Sequence, residues 1–183
     1  RTALSPYRLI AATGAGEVKK LTQWTGRDVI HFPSGIADEF FLSKEEGPKC
    51  DVVAVGNLVE VKQTDILLRC AAQHPELTFS IYGDGPERKR LEMQKASLGC
   101  GNIRFHGKVD RKQIVAALRG AKVFINESRS EGTPTAMLEA MAAGLPVIMT
   151  PSNDYTWLLK QQQNGLLTDG WSLEEIGASI EWC

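Results

Sequence analysis

From residue 51 onward, short apolar runs and helically patterned segments alternate, and this alternation constrains the fold more than any other feature of the chain. "DVVAVG" (51–56), "LTFSIYG" (77–83), "IRFHG" (103–107), "KVFINES" (122–128), "PVIMT" (146–150) and "GLLT" (165–168) have the length and apolar content of buried strands. Between and after them, 65–74, 86–98, 111–120, 134–143, 155–163 and 172–182 carry helical spacing. Six rounds of strand then helix predict an α/β chain with an open parallel sheet covered on both faces. Crossovers in such sheets are right-handed, and ligands bind at the carboxyl ends of the strands.

The first 45 residues read differently. "RLIAAT" and "DVIHFP" suit strands flanking a helix at "GAGEVKKLTQWT", and the charged, turn-rich "SKEEGPK" (43–49) suits a linker. About 40 residues are too few for an independent core. Residues 1–45 are therefore expected to be the tail of a neighbouring domain plus the linker, and 46–183 the main domain. Net charge is −1, which gives no global field for nucleic acid or an acidic membrane. No apolar run approaches the roughly 20 residues that span a bilayer. Cys50, Cys70, Cys100 and Cys183 form no C-x-x-C pair, and free thiols in a reducing cytoplasm are expected.

Two glycine clusters invite a dinucleotide reading and do not meet it. In "TGAGEV", Gly14 and Gly16 are followed by Lys19 where a third glycine would let helix and strand approach, so a helix-capping turn is expected instead. "YGDGPERKR" has the same defect, although Gly85 can bring backbone near a ligand at a strand end.

"ESRSEGTPTAMLEAMAAGLPVIMT" (127–150) carries more chemistry. Thr133 suits a helix cap and Pro134 the first helical position, leaving the amides of Thr135, Ala136 and Met137 as an anion site. Gly132 lets a ligand come close. Glu131 stands at the strand's carboxyl end, and Glu139 lies more than a turn into the helix. Two carboxylates beside an anion site would repel the anion unless each grips hydroxyls that flank it. A nucleotide sugar has that layout: ribose diol, diphosphate, sugar hydroxyls. Lys62, in "VGNLVEVKQ" after the first strand of the main domain, can reach a phosphate as a point charge. Taken one at a time, these groups also read as solvated surface charges.

The stretches "GNLVEVK", "IYGDGPERKRLE", "IRFHGKV", "AKVFINESRSEGTPTAMLEAMAAGLPVI" and "NGLL" together resemble retaining glycosyltransferases of the GT-B fold, family 4 (glycosyl transferases group 1). The most specific element is E-x7-E, here Glu131 to Glu139. The resemblance implies a Rossmann-like doubly wound sheet forming the C-terminal, donor-binding half of a GT-B enzyme. It implies catalytic roles for Lys62, on the leaving diphosphate, and Glu131, on the donor sugar. Donor binding would fall to Gly56, Asn57, Gly85, Lys108, Val109, Gly132, Thr133, Pro134, Thr135 and Glu139, with Glu139 on the ribose and backbone around Lys108 and Val109 on the base. Neither metal nor cofactor is expected, and the donor would be a UDP- or GDP-sugar. The acceptor would be a saccharide or glycolipid bound through the rest of the acceptor domain. Nucleic acid is not an expected partner. The implied compartment is the cytoplasm, with peripheral membrane association of the full-length protein where the acceptor is a glycolipid.

Three positions depart from the family pattern. Asn57 stands where arginine is usual, "EGTPTA" replaces "EGFGLP", and "PSNDYTWLL" puts Trp157 in place of a glutamate. Two other readings therefore stay open: a sugar-nucleotide epimerase on the same fold, and a non-catalytic nucleotide-binding module.

Overall fold

A computed structural model describes residues 9–41, 50–152, 158–168 and 172–183. The expected linker at 43–49 and Trp157 lie outside the described residues. Near the start, strands β1 (Ala11–Ala12) and β2 (Ile30–His31) pair in parallel around helix α1 (Ala15–Thr25). A 3₁₀ turn at Asp38–Phe40 follows.

The main sheet contains β3 (Cys50–Val55), β4 (Phe79–Tyr82), β5 (Ile103–Gly107), β6 (Ala121–Asn126), β7 (Val147–Met149) and β8 (Gly165–Leu167). All six run parallel, in the order β5-β4-β3-β6-β7-β8. The chain winds outward from β3 in one direction and from β6 in the other, which puts the topological switch point between these two strands. Helices α2 (Thr64–Gln73), α3 (Arg88–Leu98), α4 (Arg111–Gly120), α5 (Thr135–Ala142) and α6 (Leu173–Trp182) connect and close it.

Strand periodicity sorts the apolar residues into two cores. Val52, Val123, Ile125 and Ile148 pack with Ile66 and Leu68 of α2, Leu91 of α3 and Ile176 of α6. Val53, Phe124, Val147 and Met149 pack on the other face with Leu118 of α4 and Met137 of α5. Successive residues point to opposite faces of a strand, so near-continuous apolar runs are what a sheet covered twice requires. Phe40 joins the second core at 1% exposure, and Arg119 donates to the Glu39 carbonyl beside it. The 3₁₀ turn thus packs with the main domain, although it precedes the expected linker.

Two local expectations fail for physical reasons. The helix expected over 155–163 is absent from the described part, 158–163, where Gln162 takes a left-handed φ of 59°. Side chains compete for the backbone there: Lys160 N donates to Asn164 Oδ1 (2.8 Å), Asn164 Nδ2 to the Leu158 carbonyl (3.0 Å), and Leu167 N to Gln161 Oε1 (2.8 Å). At α5 the cap is Pro134, with φ −69° and ψ 118°, one residue later than expected. The Thr133 hydroxyl makes no cap because it donates to the Thr13 carbonyl at 2.7 Å.

Asp51 fastens the opposite end of the sheet from the strand ends where ligands are expected. Its carboxylate accepts from Thr78 N (2.8 Å) and Thr78 Oγ1 (2.7 Å) and pairs with Lys122 Nζ (2.7 Å). Burial pushes its pKa up, but the hydrogen bonds from Lys122 and Thr78 outweigh that and hold it at about 2. A depressed carboxyl stabilises the fold above its unfolded pKa and stops doing so as pH falls through the folded one. Asp51→Asn should therefore cost about 1–2 kcal/mol at pH 7. Denaturant melts should show that difference closing as pH falls from about 4 to about 2.

Candidate functional site

The loops leaving β3 and β6 are tied to each other at the switch point. The Val61 carbonyl accepts from Arg129 N (2.8 Å) and Ser128 Oγ (3.1 Å). Val61 belongs to a 3₁₀ turn, Glu60–Lys62, closed by Gln63 in the left-handed region (φ 48°). This geometry carries Lys62 across to Glu131. The two side chains form an ion pair, and Asn126 Nδ2 donates to the same carboxylate oxygen at 3.1 Å. Glu131 is 11% exposed and Lys62 24%. A pair this sheltered is screened less by salt than a surface pair.

A small cleft of about 20 Å3 lies beside the pair. Gly56, Asn57, Lys62, Asn126 and Glu127 line it, over a floor that includes Leu67 and Ile125. Asn57 is exposed and brings no charge, so Lys62 is the single cation among the cleft-lining residues. Gly85 has a packing reason to be glycine: a Cβ there would stand 2.4 Å from the Leu58 carbonyl oxygen. The β4 loop is pressed onto the β3 loop, with Leu58 N donating to the Asp84 carbonyl (3.0 Å) and Glu87 N to the Leu58 carbonyl (3.0 Å).

Beyond Glu131 the chain turns through Gly132 into α5. Met137 N donates back to the Pro134 carbonyl at 3.0 Å, so it does not join the anion site expected from the sequence. The amides of Thr135 and Ala136, at the positive end of the helix, have no partner among the described residues. Glu139 is half-buried on α5, and its carboxylate makes no hydrogen bond among the described residues. Burial pushes its carboxyl above the ordinary range; Arg111, at the start of α4, pulls it down and Glu39 pushes it up. Lys108 is exposed and Val109 half-buried after β5, where Asp110 caps α4 by accepting from Gln113 N at 2.8 Å. There the Tyr82 and His106 rings stack at 4.2 Å. Burial, then Arg104 and Arg88, lower the His106 pKa and keep its ring neutral at pH 7.

The structure thus brings Lys62, Glu131, Gly56 and Asn57 together. Of the site residues expected from the sequence, Gly56, Asn57 and Lys62 line the cleft; Gly85, Glu131, Gly132 to Thr135, Lys108, Val109 and Glu139 are not among its lining residues. Two polar residues that belong to the site escaped the sequence reading. Asn126 is 8% exposed and Glu127 1%, and Thr168 Oγ1 lies 3.4 Å from Glu127 Oε2. The signal was available: both are polar residues closing an apolar strand at its carboxyl end. Among the described residues no helix is long and apolar enough to cross a membrane.

Residues 36–183 match the model of the family described as glycosyl transferases group 1. The lipopolysaccharide core biosynthesis glycosyltransferase LpsE of Rhizobium meliloti (strain 1021) is 33% identical over 132 residues, covering 71% of this chain and 38% of that protein. The UDP-N-acetylglucosamine–peptide N-acetylglucosaminyltransferase GtfA subunit of Streptococcus gordonii is 33% identical over 125 residues, covering 66% of this chain and 24% of that protein. This chain therefore spans well under half the length of either relative. Among solved structures, Anabaena Alr3699/HepE in complex with UDP and glucose superposes with a TM-score of 0.83 at 22% identity, over 96% of this chain and 53% of that one. The pneumococcal O-GlcNAc transferase GtfA in complex with UDP and GlcNAc gives 0.83 at 23% identity, over 98% and 38%. Both share the fold.

Glu139 offers a test of the site's electrostatics. A carboxyl whose folded pKa is raised favours the fold below its unfolded pKa, and that contribution is lost as pH rises through the folded value. Ionised Glu139 therefore costs stability at neutral pH. Glu139→Gln should raise the melting temperature at pH 7, and the gain should shrink as pH is lowered into the carboxylate range.

Proposed function

The chain belongs to the glycosyl transferases group 1 family, and we propose that it is the donor-binding half of a retaining, metal-independent glycosyltransferase. The observation that carries this reading is the Lys62–Glu131 pair at the β3/β6 switch point, next to the open amides of Thr135 and Ala136. In this reading the donor's diphosphate lies against those amides and displaces Lys62 from Glu131. Lys62 then neutralises the leaving phosphate, and the freed carboxylate of Glu131 takes hydroxyls of the donor sugar. Glu139 accepts the ribose hydroxyls, and backbone around Lys108 and Val109 meets the base.

Transfer breaks the bond between the anomeric carbon and the diphosphate oxygen and forms one to an acceptor oxygen, with retained configuration. Charge develops on the departing diphosphate, so fixed cationic and amide groups aimed at it supply most of the stabilisation. In this reading Lys62 and the amides supply that neutralisation. The donor is assigned as a UDP- or GDP-sugar; the solved relatives bound to UDP support the former. The acceptor is assigned as a saccharide or glycolipid engaged by the longer protein, acting in the cytoplasm or at its membrane face. One observation favours a second reading, a non-catalytic nucleotide-binding module: Asn57 leaves the cleft with a single cation.

A thermal-shift screen against UDP, GDP, ADP and CDP tests the reading, because a ligand of the folded state raises its melting temperature. No shift with any of them would remove it. Glu139→Ala should weaken binding of the responding diphosphate by about 1–3 kcal/mol, the scale of hydrogen bonds to a charged group, as measured by calorimetry. In the intact enzyme, Lys62→Ala should lower turnover more than it loosens donor binding; equal effects would mean that the lysine only binds. Asn57→Arg, which restores a second cation to the cleft, should tighten diphosphate binding.

A further inference from the structure

Glu17 performs two tasks with its two oxygens, and only one of them is structural. It is the third residue of α1, and its Oε2 accepts from Gly14 N at 3.1 Å and from Thr13 Oγ1 at 3.5 Å. That is the cap of α1. Oε1 makes no hydrogen bond among the described residues. It faces Gly132: a Cβ built there would stand 3.0 Å from Glu17 Oε1 and 3.3 Å from its Cδ. The approach is held from a second point, because Thr133 Oγ1 donates to the Thr13 carbonyl at 2.7 Å. The turn that opens α1 is thus fastened to the turn that opens α5.

Glu17 is partly buried, and a carboxylate oxygen that no protein donor claims can accept from a hydroxyl or amide donor. A phosphate cannot be the partner, since two anions would repel. The neighbour of Gly132 is Glu131, the residue given above to the donor sugar. We infer that Glu17 is a third carboxylate of the donor site, whose Oε1 accepts a hydroxyl of the donor sugar beside Gly132, making it a specificity-determining residue. This rests on the reading of the site in the preceding subsection. Glu17 lies outside the stretch that matches the family model, residues 36–183, so the contact is supplied by the N-terminal segment. It also gives Gly132 a reason to lack a side chain, since a methyl there would push the carboxylate away.

Glu17→Gln tests this with little disturbance. Its carbonyl oxygen can keep the cap, while the amide nitrogen replaces Oε1 and turns an acceptor into a donor. Calorimetry on the 183-residue chain would use UDP, GDP and ADP, each alone and as its glucose conjugate. The expected result is an affinity for the glucose conjugate lowered about tenfold, with the free diphosphate bound as before. The penalty for removing one particular sugar hydroxyl from the conjugate should also vanish in the variant. Equal losses for conjugate and free diphosphate, or no change in either, would overturn the inference. A chain that binds a diphosphate, loses it in Glu139→Ala and is indifferent to Glu17→Gln removes this inference alone. A chain that binds none of the probes removes the reading of the site as well.

Discussion

The carbonyl of Val61 is a small group on which much of the site depends. By accepting from both Ser128 and Arg129, it holds the loop after β3 against the loop after β6. Parallel strands cannot do this by themselves, because the pairing of β3 with β6 ends at Val53 and Phe124. Once the loops are joined, a lysine from one and a glutamate from the other become immediate neighbours across 69 residues of sequence. The left-handed Gln63 serves the same end, since it lets the chain leave the 3₁₀ turn and enter α2 at once.

In the reading proposed for this site, the charges around this junction serve exchange rather than stability. Lys62 and Glu131 satisfy each other, with Asn126 taking a further share of the carboxylate. A sheltered pair of this kind gains little net free energy over an apolar pair, because both ions give up water. Its value is that either partner can be released when a ligand offers a better match. The raised carboxyl of Glu139, half-buried and without a hydrogen-bonded partner among the described residues, is a cost to the fold.

Much of this was legible in the sequence, and the limits were physical. The strands from β3 to β8 could be read because a sheet covered on both faces demands apolar runs, and the runs were bounded by Gly, Pro and charged residues. Lys62 and Glu131 could be expected near one another because strand ends in a parallel sheet share one edge. What could not be read depended on partners far away in the chain. The Thr133 hydroxyl looked like a cap and is used by Thr13, 120 residues earlier. Residues 158–163 had helical spacing, but Asn164 and Gln161 took over the backbone groups a helix would need. Glu17 was legible as part of a capping turn, while its second oxygen acquires meaning only from Gly132.

Phe40 has a consequence for anyone who wishes to divide this protein. Its ring is sunk among Leu118, Phe124 and Met137, and the backbone next to it is gripped by Arg119. A cut placed at the charged stretch that follows would look natural on paper, yet it would pull a phenyl plug from the larger sheet's own interior. The severed piece would be left with an empty socket and a guanidinium without its carbonyl. A workable dissection has to begin before Ile36, where the family match also begins.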